Sequence, residues 1–576
     1  MKNFLRLIGF TTIFVLGFVT LAYPKTTPSV VNEPPIVQPG NGWTGDTTEP
    51  GVVNPRQPHA DAKVIARWDT VPYQKIDDNF EVGVVAFHIN DIDRVEFAVD
   101  GGEWVRHNQM QYNPRTSVYE YYGILREQDF NSVGPIEVRA IAYPRAGLPR
   151  LLPPKYLFVD PFDVTPVKER WVSPTGSDTN DGSVNAPFAS ISHAAVDISN
   201  EFGSADRGVI YLTAGDHAYG SMAWPNAVIV SDSWLTITHA DGLTKGDARI
   251  TSELGSMKTK LVHFKDITFR EGVESSTALL SAVWLDNCHM IGNGPETKVN
   301  QWGHWLSASS WSLGDYITDS EAEQNYHGFM HSKGLIRNTI VHDLASDAWQ
   351  NGLCVINSTA YNLSAGSTLA HVDIYQITHV LPEELGTVEE PNPDINCIFY
   401  GNVGTDYLGQ GIFMGRENSA VHYENIALVN NYLEAIPGSS RTHLSSTTLS
   451  HVLVWNLTLL NQRFDINLDQ GDNALVNASF KGNCLMVLRR GNAHTDQVLN
   501  NHIVSDNHYI DGLEHWQAIT PGIRWTQGDP GFYPTWVVPN VNSVLNNRME
   551  PLTPSDVSGR LRGSTTAIGA FIGRNR

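Results

Sequence analysis

Two short phrases carry the residues most capable of chemistry. Asp347-Ala348-Trp349-Gln350 and Asp373-Ile374-Tyr375-Gln376 share one pattern, an acid followed two residues later by an aromatic and three later by Gln. Asp347 begins ten residues before Asn357, and Asp373 stands ten before Asn396 once the thirteen-residue insert Leu381 to Pro393 is excised. Asp406 with Gln410, nineteen before Asn425, and Asp465, twelve before Asn477, fit this phase less well. If these phrases stack on successive strands about 4.8 Å apart, Asp347 and Asp373 lie about 5 Å apart, with Asp406 about 10 Å from Asp347. Carboxylates this close cannot all ionise freely, so one carboxyl pKa rises or a cation such as calcium neutralises the set. The first outcome supplies a general acid. Glycoside hydrolysis uses such a pair, about 5 Å apart for retention and about 6.5 to 9.5 Å for inversion.

The candidate catalytic residues are therefore Asp347, Asp373 and Asp406, with His371 and Arg416 beside them. Gln350, Gln376, Gln410, Trp349 and Tyr375 would line the same groove as substrate-binding residues. A lyase acting on uronates needs a base for the C5 proton, and Lys333, Arg416, Arg441 and His443 are the candidates. Arg416 is favoured because Gly411 and Gly415 flank the preceding strand, although an ordinary solvated arginine is the competing reading. A ladder that only holds coils together competes with every one of these roles. His327 and His331 are four apart, but Gly328 between them argues against a helical zinc pair. Trp302, Trp305, Trp311 and Tyr316 could stack on sugar faces or pack against the fold.

Stacking requires a repeat, and one is present. An apolar residue precedes an Asn, and a second Asn or Asp follows five or six places later, at Asn287, Asn338, Asn357, Asn396, Asn425, Asn456 and Asn477, with a weaker precursor at Asp266. Repeated units of this kind stack into a solenoid. Runs such as Cys397-Ile398-Phe399 and Leu457-Thr458-Leu459-Leu460 are β-type and too short for helices. Asn amides at one turn of successive coils can bond the coils above and below and satisfy backbone groups at the bend. Together these describe a parallel β-helix.

The rest of the chain organises around it. Lys2 and Arg6 precede an apolar run from Leu7 to Ala22, a signal peptide by pattern, so a secreted or cell-surface location without a membrane span after cleavage is expected. Residues 23–60 are rich in Pro, Gly and Thr and read as a tether. Short β-type runs over residues 61–162, with a hairpin turn at Asp100-Gly101-Gly102, predict a small Ig-like β-sandwich. The formal charge of −22, from 39 basic and 61 acidic residues, repels nucleic acid. The four cysteines, Cys288, Cys354, Cys397 and Cys484, lack zinc-ligand spacing and read as free inward-facing thiols or as disulfides between coils. The core of each coil is made by its neighbours, so the solenoid is expected to stay soluble without residues 1–165.

Trp171-Val172-Ser173-Pro174-Thr175-Gly176-Ser177-Asp178, Asp181-Gly182-Ser183, Ala186-Pro187-Phe188-Ala189-Ser190-Ile191 and the helical stretch after it resemble the opening of secreted right-handed parallel β-helix proteins with a pectate-lyase-like fold. Asp556 to Gly563 and Ile568 to Phe571 are similar to their closing segment. The resemblance implies a first strand, a helix capping the solenoid, and a β-helix over residues 166–576. His371-Val372-Asp373-Ile374-Tyr375-Gln376 also resembles a His-x-Asp-x-x-Gln phrase found in some β-helix proteins. Such scaffolds carry lyases, hydrolases, epimerases and inert adhesins. An extracellular polysaccharide is the expected partner. The chain either cleaves it as a hydrolase or lyase, or binds as a non-catalytic adhesin or structural protein.

Overall fold

The structure, a computed structural model, describes residues between Pro58 and Pro539 apart from internal segments, the longest of which are 219–232, 378–393 and 515–524. The signal peptide, most of the tether and the closing segment lie outside these residues, as do His331, Lys333, His371, Arg416, Arg441 and Trp311.

The first described region is a pair of antiparallel sheets. One orders Ile65–Trp68, Phe80–Phe87, Val118–Leu125 and Gln111–Asn113; the other centres on Ile92–Val99 paired with Val105–His107 and Gly134–Pro144. The expected hairpin is present. Asp100 and Gly101 both adopt positive φ, 47° and 71°, the two left-handed positions of a turn whose twist matches its strands.

From Val167 to Gln527 the paired strands run parallel, and a short antiparallel pair, Phe532–Tyr533 with Trp536–Pro539, follows. Among the described residues the first coils contribute two strands each, and those of the middle of the solenoid three, to three stacked rows. In one coil these are Leu335–Arg337, Ile340–Leu344 and Trp349–Gln350; in the next, Cys354–Ile356, Thr359–Ser364 and Asp373–Ile377; then Asp394–Tyr400, Val403–Leu408 and Gln410–Met414. This arrangement fits a right-handed parallel β-helix. The helix Ile191–Glu201 buries Ile191, Ala194, Ala195 and Ile198 against its first coils.

The Asn residues hold the corner between the first and second rows, in two ladders. Asp266, Asn287, Asp319, Asn338, Asn357, Asn430 and Asn456 take the left-handed corner conformation, with φ from 49° to 58°. Asn and Asp tolerate this conformation best among residues with a Cβ. Asn357 Nδ2 donates to Asn338 Oδ1 at 2.8 Å, and Asn338 Nδ2 to Asp319 Oδ1 at 3.0 Å. One residue on, an inward ladder runs from Asn431 Oδ1 to the Asn402 N–H and from Asn402 Oδ1 to the Ser358 N–H, each 2.9 Å. Asn396 and Asn425 are not at this corner: Gly401, φ 71°, and Asn430 occupy it in their coils. Asn396 instead faces the sandwich, accepting from the Ala66 N–H and donating to the Ala66 carbonyl.

Sandwich and solenoid share a core. Val71, Val85, Phe87 and Ile89 pack against Trp284, Tyr316, Ile356, Ile398, Tyr400, Val429 and Trp455 on the outer face of the first row. Arg337 Nη1 reaches Asp69 Oδ1 at 2.6 Å and Arg150 Nη2 reaches Asp394 Oδ1 at 2.7 Å across this junction. A solenoid without residues 1–165 would expose that apolar face, so the expectation of a soluble fragment is replaced by one of association. Cys288, Cys354 and Cys397 are free and buried, as small apolar residues would be.

Candidate active site

The third row brings Asp347 and Asp373 together. Trp349 pairs with Tyr375 and Gln350 with Gln376, so Asp347 and Asp373 stand at the same place on neighbouring coils. The Asp373 N–H donates to Asp347 Oδ1 at 2.9 Å, and the Gln350 amide donates to Asp347 Oδ2 at 3.2 Å and to Gln376 Oε1. His327, one coil earlier, places Nδ1 3.8 Å from Asp347 Oδ2.

Asp347 is 3 % exposed and Asp373 0 %. Burial first, and the neighbouring Asp373 second, hold the Asp347 carboxyl well above the usual carboxylate range, outweighing the Asp373 N–H and Ser346 that favour its ionised form. Its protonated form is favoured relative to that of an exposed aspartate.

The next coil does not repeat the acid. Asp373 pairs with Gln410, so Gln410 takes the third place in the Asp ladder and not a place among the glutamines. Asp406 lies in the second row, exposed, at φ 52°, stacked in register beyond Asp343 and Asn362. It is apart from the pair. Trp349 and Tyr375 are fully buried. Tyr375 stacks on Phe399 with centroids 4.3 Å apart, and its hydroxyl donates to the Gly352 carbonyl at 2.6 Å. Both rings are core pillars and cannot line a groove.

The register of Gln350 continues along the third row through Gln376, Phe413, His443 and Asp465, of which all but Gln350 are buried. Phe413 and His443 meet edge to face at 4.6 Å. Sequence reasoning missed Phe413, which takes the position after two glutamines because Gln410 stands three residues earlier, in register with Asp373.

Calcium takes about six to eight oxygen ligands. Both Asp347 oxygens and Gln376 Oε1 already accept hydrogen bonds from within the cluster. A calcium ion at the pair would need further oxygen ligands beyond these.

No protein-family model matches the chain, and no curated protein matches it. Among solved structures, a pectate lyase, Pel9A, is 13% identical and covers 72% of this chain and 98% of its own, with a TM-score of 0.33. A structure titled as XylC with xylose is 8% identical, covering 70% of this chain and 98% of its own at TM-score 0.35. A rhamnogalacturonan lyase is 12% identical, covering 69% of this chain and 95% of its own at TM-score 0.23. The β-helix assignment rests on the strand pairing itself.

Proposed function

We propose that the chain engages an extended polysaccharide along the third row and hydrolyses a glycosidic bond with Asp347 and Asp373. One observation carries this reading: two carboxyls on adjacent coils, the Asp347 group held well above the usual carboxylate range by burial and by its neighbour. Adjacent-coil spacing of about 5 Å belongs to the retaining geometry. Asp347 gives its proton to the leaving glycosidic oxygen as that oxygen parts from the anomeric carbon, and an Asp373 oxygen bonds to the same carbon. Water, losing a proton to Asp347, then displaces Asp373 and restores both groups. Gln350 and Gln376 orient the pair and the sugar hydroxyls.

A second reading is favoured by the burial of both carboxyls: a proton-sharing ladder that only joins coils, in a protein that binds without cleaving. Purified full-length protein on a panel of neutral and acidic polysaccharides separates them. New reducing ends that disappear in Asp373→Asn support hydrolysis. Unsaturated products would assign a lyase instead, and binding without product would assign the ladder.

A further inference from the structure

Three buried histidines stand where the sandwich meets the solenoid, away from the third row. His59 and His88 belong to the sandwich region, His88 directly after the strand Phe80–Phe87, and His451 to the first-row strand Thr448–Trp455. They are 4%, 0% and 2% exposed in that order. The His88 and His451 rings face each other across the junction with centroids 4.8 Å apart. His59 Nδ1 lies 3.0 Å from Asn477 Oδ1.

Hydrogen bonding fixes the proton on each of the facing rings. His88 Nε2 lies 3.0 Å from the Ala62 carbonyl, which can only accept, and His88 Nδ1 accepts the Asn90 N–H at 3.0 Å. His451 Nε2 accepts the Ile89 N–H at 3.2 Å. Its Nδ1 lies 2.9 Å from Asn425 Oδ1, whose amide nitrogen donates to Asp394 Oδ1 at 2.8 Å. Each imidazole is therefore neutral with both nitrogens engaged. A second proton on either ring would point at a backbone N–H, and those two N–H groups come from consecutive residues of one sandwich loop. The packing leaves little room to turn away: a Cβ at Gly147 would fall 2.5 Å from His88 Nε2.

The surrounding charges do not offset an imidazolium pair. His59 and Arg150 would both oppose a positive His451, and the Lys63 carbonyl is the group there that favours it. Asp394, the acid behind Asn425, is taken by Arg150 at 2.7 Å and by Lys63 at 3.7 Å. Asp61 accepts from Asn477 at 3.0 Å, and Asp91, next in the loop, is exposed. Burial above all lowers the His88 pKa from 6.5 to about 4 and takes His451 well below its usual value.

We propose that His88 and His451 form an acid-operated latch, in which protons taken up by the two rings release the Ile89–Asn90 loop from the coil of His451 and lift this edge of the sandwich off the first row. Release uncovers Ile398, Tyr400, Val429 and Trp455, which share a core with Phe87 and Ile89 in the closed form. Acid thus turns a covered face into an exposed apolar strip. The coils themselves stay wound, because parallel ladders and corner amides such as Asn402 and Asn431 join them and take up no proton. Each ring gains one proton on opening, so between about 6.5 and about 4 the opening equilibrium shifts by up to about tenfold per pH unit for one ring and about 100-fold for both.

Amide hydrogen exchange of the full-length protein between about pH 7 and about pH 4.5, corrected for the intrinsic rate at each pH, tests the latch. Peptides containing Ile89 and Asn90 should lose protection steeply as pH falls, by more than about tenfold per unit, while peptides from the coils Leu335–Arg337 and Cys354–Ile356 keep theirs. Glutamine stays neutral, so His88→Gln and His451→Gln should each halve the slope and together flatten it. Loop protection in the wild type that does not change with pH, or that is lost in step with the coils, would overturn the proposal. A wild-type slope in either single variant, or a steep acid loss in a double variant whose protection at neutral pH matches the wild type, would overturn it too.

Discussion

Two clusters of carboxylates lie on either side of the same bends of the solenoid, Glu323 to His327 and Asp343 to Asp347, and they settle their charge in opposite ways. Asp347 and Asp373 are buried, and burial together with the neighbouring acid favours the protonated form of Asp347. Glu321, Glu323 and Asp343 are partly exposed and have two imidazoles among them. The His342 pKa is raised even though burial, the largest influence, lowers it, because Glu321 and Asp343 both bond its ring. Carboxyls thus favour the protonated form where they are dry and pair with imidazoles where water reaches them.

The largest expected effect tests which neighbours of the acidic pair are structural. Tyr375→Ala removes a fully buried ring and its two hydroxyl partners, so a loss of about 3 to 5 kcal/mol is expected, read by denaturant unfolding. A loss near zero would return Tyr375 to the groove. Deleting residues 1–165 should leave a fragment that associates, because Trp284, Tyr316, Tyr400 and Trp455 lose their cover; size-exclusion chromatography reports it. A monodisperse monomer would mean that the junction is not a shared core.

A pH series sharpens the comparison from a third site. At the junction His88 and His451 lie 4.8 Å apart, each accepting a backbone N–H on one ring nitrogen, from Asn90 and Ile89 respectively. Both are therefore neutral. Burial lowers the His88 pKa from 6.5 to about 4 and pushes His451 well below its usual value. Their contribution is present above about 6.5, where neither folded nor unfolded chains protonate them, and is lost as pH falls from there through about 4. Asp347 runs the other way. With its folded pKa raised, its contribution is full below the unfolded value of 3.8 and is lost as pH rises through the raised one. Melting temperature against pH should fall on the acid side, and His88→Gln should flatten that limb. An unchanged acid limb in the variant would remove His88 from the account.

The smallest effect on stability, and the most discriminating, belongs to Asp347→Asn. An amide replaces a carboxyl already neutral, so the melting temperature at neutral pH should hold or rise slightly, whereas any hydrolysis should disappear. A drop of several degrees would show that the group is ionised in the folded protein.

Much of this was legible in the residues. Asn at corners and short apolar runs mark a β-helix because one backbone conformation, left-handed and tolerated by Asn, recurs at the same corner of successive coils. The pairing of Asp347 with Asp373 was legible through the shared three-residue step to Gln350 and Gln376, which fixes phase locally. Asp406 was misplaced because the reference Asn residues differ in role: Asn396 and Asn425 lie before the corner, in a strand whose register shifts between Asp394 and Cys397. Trp349 and Tyr375 read as groove aromatics because side-chain alternation begins after a bend, and the bend sets which parity faces inward. The His289, Glu321, Glu323 and His342 cluster left no local signal. Its members are separated by 32 residues from His289 to Glu321 and 19 from Glu323 to His342, and only the strand register makes them neighbours. The shared junction was equally hidden, since the outer-face residues Phe87 and Ile89 have the composition of any sandwich core.

The central claim is that Asp347 is a protonated carboxyl beside Asp373 in the folded protein. Infrared difference spectroscopy between the wild type and Asp347→Asn at neutral pH tests it directly. The account predicts a protonated carboxyl C=O stretch in the wild type that is absent from the variant and shifts in deuterium oxide. A difference spectrum showing only the loss of carboxylate bands would contradict it.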